Sequence, residues 1–449
     1  MQLINSVNLI IMRHRYIVFL MFGLMISPLL SAQNLDELIQ KSWEHSPLLR
    51  EKEFKLARLE SQLKEAKALY MPSASIGSQY TLAAGGRSID LPIGDLINPI
   101  HQKLNEITGS NQFPNLQNVK TNFFPNNFYD AHLRIQQAIY QTDIGIARSI
   151  KKEEIKIQES DILASKRILA KEVTQTCIQL ASQEEYLKII ERANQSLSIA
   201  KRNTESLQRN GLSTSTAILR IDAEISNLEA KKTELKMNVD QATTYLRYLT
   251  GLQNFENIKF ENLPDILNQS SQIREEITQL QSGIKIQEQA FKKEKQFYQP
   301  RIGVQADFGS QDFNFNWNPY VLIGLNLEWN FYDGGRVKQR KLQSENAINA
   351  LNSQLKAVQE QMDLQNELAK IQLNSKISQA MNYELRIASA EKIKTEALKK
   401  YNEGSIGYLE LLDAQNLWLN IQSDYQLARF NAWTSWSEYQ YKTASYPIQ

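Results

Sequence analysis

The sequence predicts a mainly α chain with a membrane β-barrel contribution, four β-strands plus long α-helices per chain, and three observations predict it. The chain runs through one pattern twice, four windows of about ten residues alternate apolar with polar, and breakers are scarce. Only 17 Gly and 11 Pro are spread over 449 residues. In the first copy Tyr70-Met71-Pro72 opens the strands, Ile139-Tyr140-Gln141 closes them and Arg209-Asn210-Gly211 marks a helical turn. In the second these are Tyr298-Gln299-Pro300, Asn330-Phe331-Tyr332 and Asn402-Glu403-Gly404, the self-similarity that marks a repeat architecture.

Residues 1–32 read as a secretory signal: Arg13, His14 and Arg15 precede an apolar run from Tyr16 to Leu30, and Ser31-Ala32 supplies the small residues before Gln33. No cysteine stands at that junction, which disfavours a lipid anchor. Cys177 is the only cysteine, so no intrachain disulfide can form, and its place in a helical pattern makes it a packing residue. A net charge of +2 with 22% charged residues leaves no basic stripe for a phosphate backbone.

Beyond the signal no window approaches the roughly 18 consecutive apolar residues of a membrane-spanning helix, so entry into a membrane has to be as strands. The first repeat, 33–274, has strands at 73–81 and 130–139. Ala74, Ile76 and Tyr80 alternate with Ser75 and Gln79, and Ala131, Leu133, Ile135 and Ile139 with His132, Arg134 and Gln136. The second repeat, 275–449, has strands at 300–309 and 320–331. There Ile302, Val304, Ala306 and Phe308 alternate with Arg301, Gln305 and Asp307, and Val321, Ile323, Leu325, Leu327, Trp329 and Phe331 with Gly324, Asn326, Glu328 and Asn330. Aromatic residues cluster at the strand ends, Tyr70, Tyr140, Phe297, Tyr298, Phe331 and Tyr332 at one and Phe128, Tyr129, Trp317 and Tyr320 at the other, where interfacial belts belong. Four strands cannot close a barrel, and open edges in lipid would leave backbone groups unsatisfied. The chain has to oligomerise.

The helices are expected at 143–210 and 213–250 in the first repeat, followed by an irregular equatorial segment 251–274, and at 335–402 and 405–441 in the second, followed by the tail. From Asp143 to Asn210 there is no Pro and only Gly145, which gives a helix on the order of 100 Å long. Shorter helices at about 275–297 and after Pro47 to near Leu69 complete the return paths. Ile155, Ile162 and Leu169 form one heptad stripe, and Ile150, Ile157 and Ala164 a second. Two seams on one helix suit a closed ring better than a simple coiled-coil pair.

The stretch 82–128 is the main asymmetry between the copies, because the second has only a short link around Phe313 to Asn318. Long loops belong to the outer face of such barrels. The run Ile89-Asp90-Leu91-Pro92-Ile93-Gly94-Asp95-Leu96 has turn formers together with enough apolar residues to pack, so a folded cap and a disordered loop both fit it.

The Phe331-Tyr332-Asp333-Gly334-Gly335-Arg336 closure, and Tyr401-Asn402-Glu403-Gly404 leading into Leu409-Glu410-Leu411-Leu412-Asp413-Ala414-Gln415, resemble the TolC family of outer-membrane efflux proteins. The first copy echoes these in Asn210-Gly211-Leu212 through Arg220 and in Tyr248-Leu249-Thr250-Gly251, so the likeness spans the mature chain. It implies a homotrimer with a 12-stranded β-barrel and a periplasmic α-helical barrel. It also implies a passive exit channel for an efflux or type I secretion system, in the outer membrane of a Gram-negative bacterium with a large periplasmic portion, joined to a periplasmic adaptor (membrane fusion protein) and an inner-membrane transporter. Carried over by position, Glu410 and Asp413 would be the periplasmic gate or selectivity ring, and Asn210, Gly211, Leu212, Glu403, Gly404 and Ser405 the adaptor-docking tip turns. Family positions that pair an arginine with an aspartate are here Ile406 and Ala217, which leaves Tyr401 as a possible gate contact.

Two other classes fit the sequence less well. His14, His45, His101 and His132 are scattered without metal-ligand spacing, and there is no phosphate-cradling glycine loop or nucleophile elbow, so an enzyme and a cofactor are not expected. A soluble periplasmic coiled-coil adaptor accounts for the helices but not for four alternating strands with aromatic ends.

Overall fold

The computed structural model describes residues 35–123, 126–211, 213–260, 262–265 and 272–446. The signal expected at 1–32, Leu212 and part of the equatorial segment lie outside the described residues. In chain order the elements are α1 (Leu35–His45), α2 (Pro47–Ala68), β1 (Ser73–Thr81), β2 (Ser88–Leu91), α3 (Ile93–Thr108), β3 (Val119–Asn122), β4 (Phe128–Tyr140) and α4 (Thr142–Arg209). There follow α5 (Ser215–Thr250), α6 (Glu275–Lys295), β5 (Arg301–Phe313), β6 (Pro319–Glu328), α7 (Arg336–Asn402) and α8 (Tyr408–Lys442). The fold class is the one the sequence implies: mostly helix, with one four-stranded sheet.

Three features differ in detail from the sequence reading. A separate helix, α1, precedes Pro47; β6 stops at Glu328, before Trp329 and Phe331; and the loop expected at 82–128 contains β2, α3 and β3. Two compact units cut across the repeats, one drawn from Ala57–Lys156 and Ser282–Asn352, the other from Met1–Leu56, Ile157–Gln281 and Ser353–Gln449.

In the first unit the main sheet has strand order β1-β4-β5-β6 with every neighbour antiparallel. The register aligns the alternating patterns across all four strands. Ile76 faces Leu133, Leu133 faces Phe308 and Phe308 faces Val321, an unbroken apolar row. The next such row is Ala74, Ile135, Ala306 and Ile323. Ile76 is 85% exposed and Ile323 75%, so this side of the sheet is a large apolar face without cover from its own chain. A register slip by one residue would put these side chains on the polar face. His132 lies between two glycines: a Cβ on Gly77 would stand 2.9 Å from its Nε2, and one on Gly309 2.7 Å from its Cβ. Glycine at both neighbours leaves the ring its space.

The second unit is helical. Ile189, Leu197, Ile221, Leu228, Leu411 and Trp418 form one buried cluster from α4, α5 and α8, and Leu38, Ile178, Leu246 and Phe430 belong to another that includes α1. α5 ends at Gly251, whose φ of +73° lets its N–H reach the Arg247 carbonyl at 2.8 Å. Cys177 is buried, and burial pushes its thiol up to about 12, as fits a packing residue. No described helix is long and apolar enough to cross a membrane.

Candidate functional site

The polar face of the sheet is a connected network. Arg134 on β4 donates from Nε and Nη2 to the two carboxylate oxygens of Asp307 on β5, at 2.8 and 2.9 Å, a bidentate pairing. Gln305 Nε2 donates to Asp307 at 2.8 Å, Gln136 Nε2 to Gln305 at 3.0 Å, and the Tyr320 hydroxyl to Asp130 at 3.0 Å. Arg134, Gln136, Gln305 and Asp307 all appear in the sequence as polar members of alternating strands. Their pairing was not readable there, because it depends on the β4–β5 register. One side of the sheet is thus apolar and uncovered, and the other carries matched charges and amides suited to water.

The sequence-expected tip residues lie in the helical unit. α4 ends at Arg209, and Asn210 and Gly211 turn the chain: Gly211 has φ +74° and its N–H reaches the Gln208 carbonyl at 2.9 Å. After α7, Gly404 has φ +71°; its N–H reaches Tyr401 O at 3.0 Å, and the Ser405 N–H reaches Lys400 O at 2.9 Å. This is a Schellman termination, in which left-handed glycine satisfies the last carbonyls. Nothing lies within 4 Å of a Cβ built on Gly211 or Gly404, so the requirement at both is conformational.

Side chains join the end of α7 to α4. Asn203 Nδ2 donates to Asn402 Oδ1 at 2.8 Å, and the Tyr401 hydroxyl meets Thr204 Oγ1 at 2.5 Å. Thr204 already donates to the Ala200 carbonyl at 2.7 Å, so Tyr401 is the donor in that contact. Both residues are buried, and the Tyr401 ring stands edge-on to Tyr408 at 6.4 Å. Ile406 and Ala217 pack against the same cluster as apolar filling. Thr204 and Tyr408 escaped the sequence reading. A signal for Thr204 existed, since Ile190, Leu197 and Thr204 fall at heptad spacing and all three are buried, a hydroxyl within an apolar stripe.

Glu410 and Asp413 begin α8 on one side, three residues apart. Both are exposed, while Leu411 and Ala414 turn into the core. Among the described residues neither carboxylate forms an ion pair. The structure thus ties Tyr401 and Asn402, next to the turn at Glu403, Gly404 and Ser405, to Asn203 and Thr204 on α4, six or seven residues before the turn at Asn210 and Gly211, and sets Glu410 and Asp413 one to two helical turns further on.

Comparison with known proteins bears on what such a chain is. Residues 265–438 match the family model described as outer membrane efflux protein. The outer membrane protein VceC of Vibrio cholerae is 16% identical, with a TM-score of 0.71 over 91% of this chain and 95% of that one. CusC, whose structures concern folding and transmembrane channel formation, is 12% identical with a TM-score of 0.73 over 92% of each chain. The CmeC outer membrane channel of Campylobacter jejuni is 14% identical with a TM-score of 0.70 over 92% of this chain and 85% of that one. At such identities the likenesses establish the fold. No curated protein matches the chain in sequence. The sequence of the outer membrane efflux protein family thus runs across most of the second repeat, and along nearly its whole length the chain has the fold of these solved proteins.

Proposed function

We propose that three copies of the chain form an exit duct, with the four-stranded sheets closing into a 12-stranded barrel in the outer membrane and the helices lining a periplasmic tunnel. The observation that carries this reading is the sheet: apolar and uncovered on one face, charge-paired and amide-rich on the other, with β1 and β6 each paired on one side only. Exposed apolar rows suit lipid, the polar face suits a wet lumen, and open edges require a partner strand. A soluble adaptor would leave this apolar face in water.

In this reading Glu410 and Asp413, repeated three times, form carboxylate rings that favour cations and repel anions. The turns at Asn210, Gly211 and Leu212 and at Glu403, Gly404 and Ser405 receive a periplasmic adaptor, which links the duct to an inner-membrane transporter of a tripartite efflux or type I secretion system. The Tyr401–Thr204 contact ties adjacent helical hairpins of one chain and takes part in holding the tip closed.

Native mass spectrometry and planar-bilayer recording test the duct: the purified protein is expected as a trimer that conducts, and a lipid-free monomer that never raises conductance would sink the reading. Replacing Glu410 and Asp413 together by alanine is expected to raise anion passage several-fold with the trimer intact. Unchanged ion selectivity would remove those two residues from the gate.

A further inference from the structure

The insertion between β1 and β4 is folded, yet it buries almost nothing. Among the described residues from 82 to 122, Gly94 alone is buried. Its helix, α3, carries Ile93, Leu96, Ile100, Leu104 and Ile107, a spacing of three or four residues that places them on one face. All five are exposed, Leu96 by 69% and Ile107 by 80%.

The opposite face of α3 is already engaged. Asn98 exchanges two hydrogen bonds with the Leu116 backbone at 2.9 and 2.8 Å, and Asn105 two with the Phe113 backbone at 2.8 and 3.1 Å. Asn118 Oδ1 accepts from the Asp95 N–H at 3.1 Å, and Asn118 Nδ2 donates to the Asp95 carboxylate at 2.9 Å. A Cβ on Gly94 would clash with the Leu116 carbonyl oxygen, so the helix touches the connection that leads to β3 there. This ladder fixes the rotation of α3 and presents the apolar stripe outward. The antiparallel β2–β3 pair adds Ile89, Leu91 and Val119, also exposed.

A 16-residue helix and a pair of four-residue strands are each marginal in water without apolar burial. Exposed hydrogen bonds do not make up the difference, at about 1 kcal/mol each. The missing burial therefore comes from outside the chain.

We infer that the occupant is the same stripe of α3 in the other copies, so that three insertions share one apolar core and cap the end of the barrel. The inference rests on the trimeric duct proposed above. The insertion leaves directly from β1, the edge strand whose free side has to pair with β6 of another copy, which carries α3 to the subunit boundary. Charge points the same way: Arg87, Lys103 and Lys120 balance Asp90, Asp95 and Glu106. Neutral insertions can meet without repulsion, and they lack the cationic surplus that would hold them to an anionic headgroup layer. Closed rotational symmetry brings identical patches together without further design.

Cross-linking tests this in the full-length protein with Cys177→Ala as background. Ile100→Cys is expected to give covalent dimers with a short bismaleimide in trimers, and Gln102→Cys, on the ladder side, at least ten-fold less. The pair Leu96→Asp with Ile107→Asp is expected to keep the trimer by native mass spectrometry while raising single-channel conductance about two-fold or more. Trimers that fail to cross-link at position 100, or that cross-link equally at 102, overturn the cap alone. Quenching of a fluorophore on Ile100→Cys by brominated lipid overturns it in favour of a lipid-bound helix. A protein that is monomeric throughout overturns the duct, and the cap with it.

Discussion

Around the turn at Glu403–Gly407 the apolar side chains are shut inside the chain, whereas between residues 82 and 122 they stand open. Leu411 is 0% exposed and Tyr401 4%, with Ile406 and Ala217 filling the space beside them. In the insertion the secondary structure is as regular, but its contacts are polar and its apolar stripe is uncovered. Regular hydrogen bonding is therefore no guide to where stability comes from. The helical turn owes its stability to its own core, and the insertion to neighbours.

The largest effect that separates the two is a truncation. Leu411→Ala removes a fully buried side chain and is expected to cost about 3 kcal/mol, seen as a fall in the thermal midpoint of helix unfolding by circular dichroism. Ile100→Ala in the insertion is expected to leave that midpoint unchanged. An equal fall in both would erase the distinction. Next in size is Gly94→Ala: the added methyl meets the Leu116 carbonyl, and overpacking of this kind costs about 1–3 kcal/mol. Faster amide exchange is expected at Leu116 and Asn118, with β4 and β5 unaffected.

What the sequence made legible follows the same division. Alternation in four windows and long stretches without breakers expose fold class directly, since period and composition are local properties. Register is not local: that Arg134 meets Asp307 depends on β4 and β5 being aligned by the whole row from Ile76 to Val321. The insertion was hidden because Pro92, Gly94 and Pro99 read as turn formers. Pro99 nonetheless sits inside α3, where Asn98 and Asn105 hold the helix to residues 113–116 by side-chain bonds. α1 is hidden by Pro47, which disfavours helix in the residue before it and reads as a helix start. Only family resemblance singles out Glu410 and Asp413, and no periodicity distinguishes them from a solvated helix face.

The second repeat offers a contrast to the insertion, because its strand connection is short and its aromatic Phe315, though 64% exposed, engages rings of its own chain. Phe315 has φ +61°, an uncommon conformation for a bulky residue. Its ring stacks on Tyr129 at 5.5 Å and on Tyr80 at 5.2 Å, and the Tyr129 hydroxyl donates to the Asn316 carbonyl at 2.7 Å. Phe315→Ala keeps the strained backbone and loses both stacks, an expected cost of about 1–2 kcal/mol. Phe315→Gly relieves the strain and is expected to cost less, by about 1 kcal/mol. Heat-modifiability of the folded protein on gels ranks the two variants; the reverse order would mean that the positive φ at 315 stores no strain for glycine to relieve.

The smallest effect at neutral pH is expected at Tyr408, whose buried hydroxyl has no hydrogen-bond partner among the described residues. Burial first, then the nearby Glu224 carboxylate, push it up to about 12 from an ordinary 10.0. Between those values the unfolded chain has released the proton and the folded chain still holds it. Stability tied to this group is therefore complete below about pH 10 and declines as pH rises toward 12. Tyr408→Phe leaves no hydroxyl to desolvate, so the change is expected within about 0.5 kcal/mol of neutral or slightly stabilising at pH 7. The same variant is expected to flatten the alkaline fall in the helix-unfolding midpoint between pH 10 and 12. An alkaline profile identical to that of the unaltered protein would mean that the hydroxyl reaches water, and that the core around the 403–407 turn is less closed than the packing of Tyr401 and Leu411 implies.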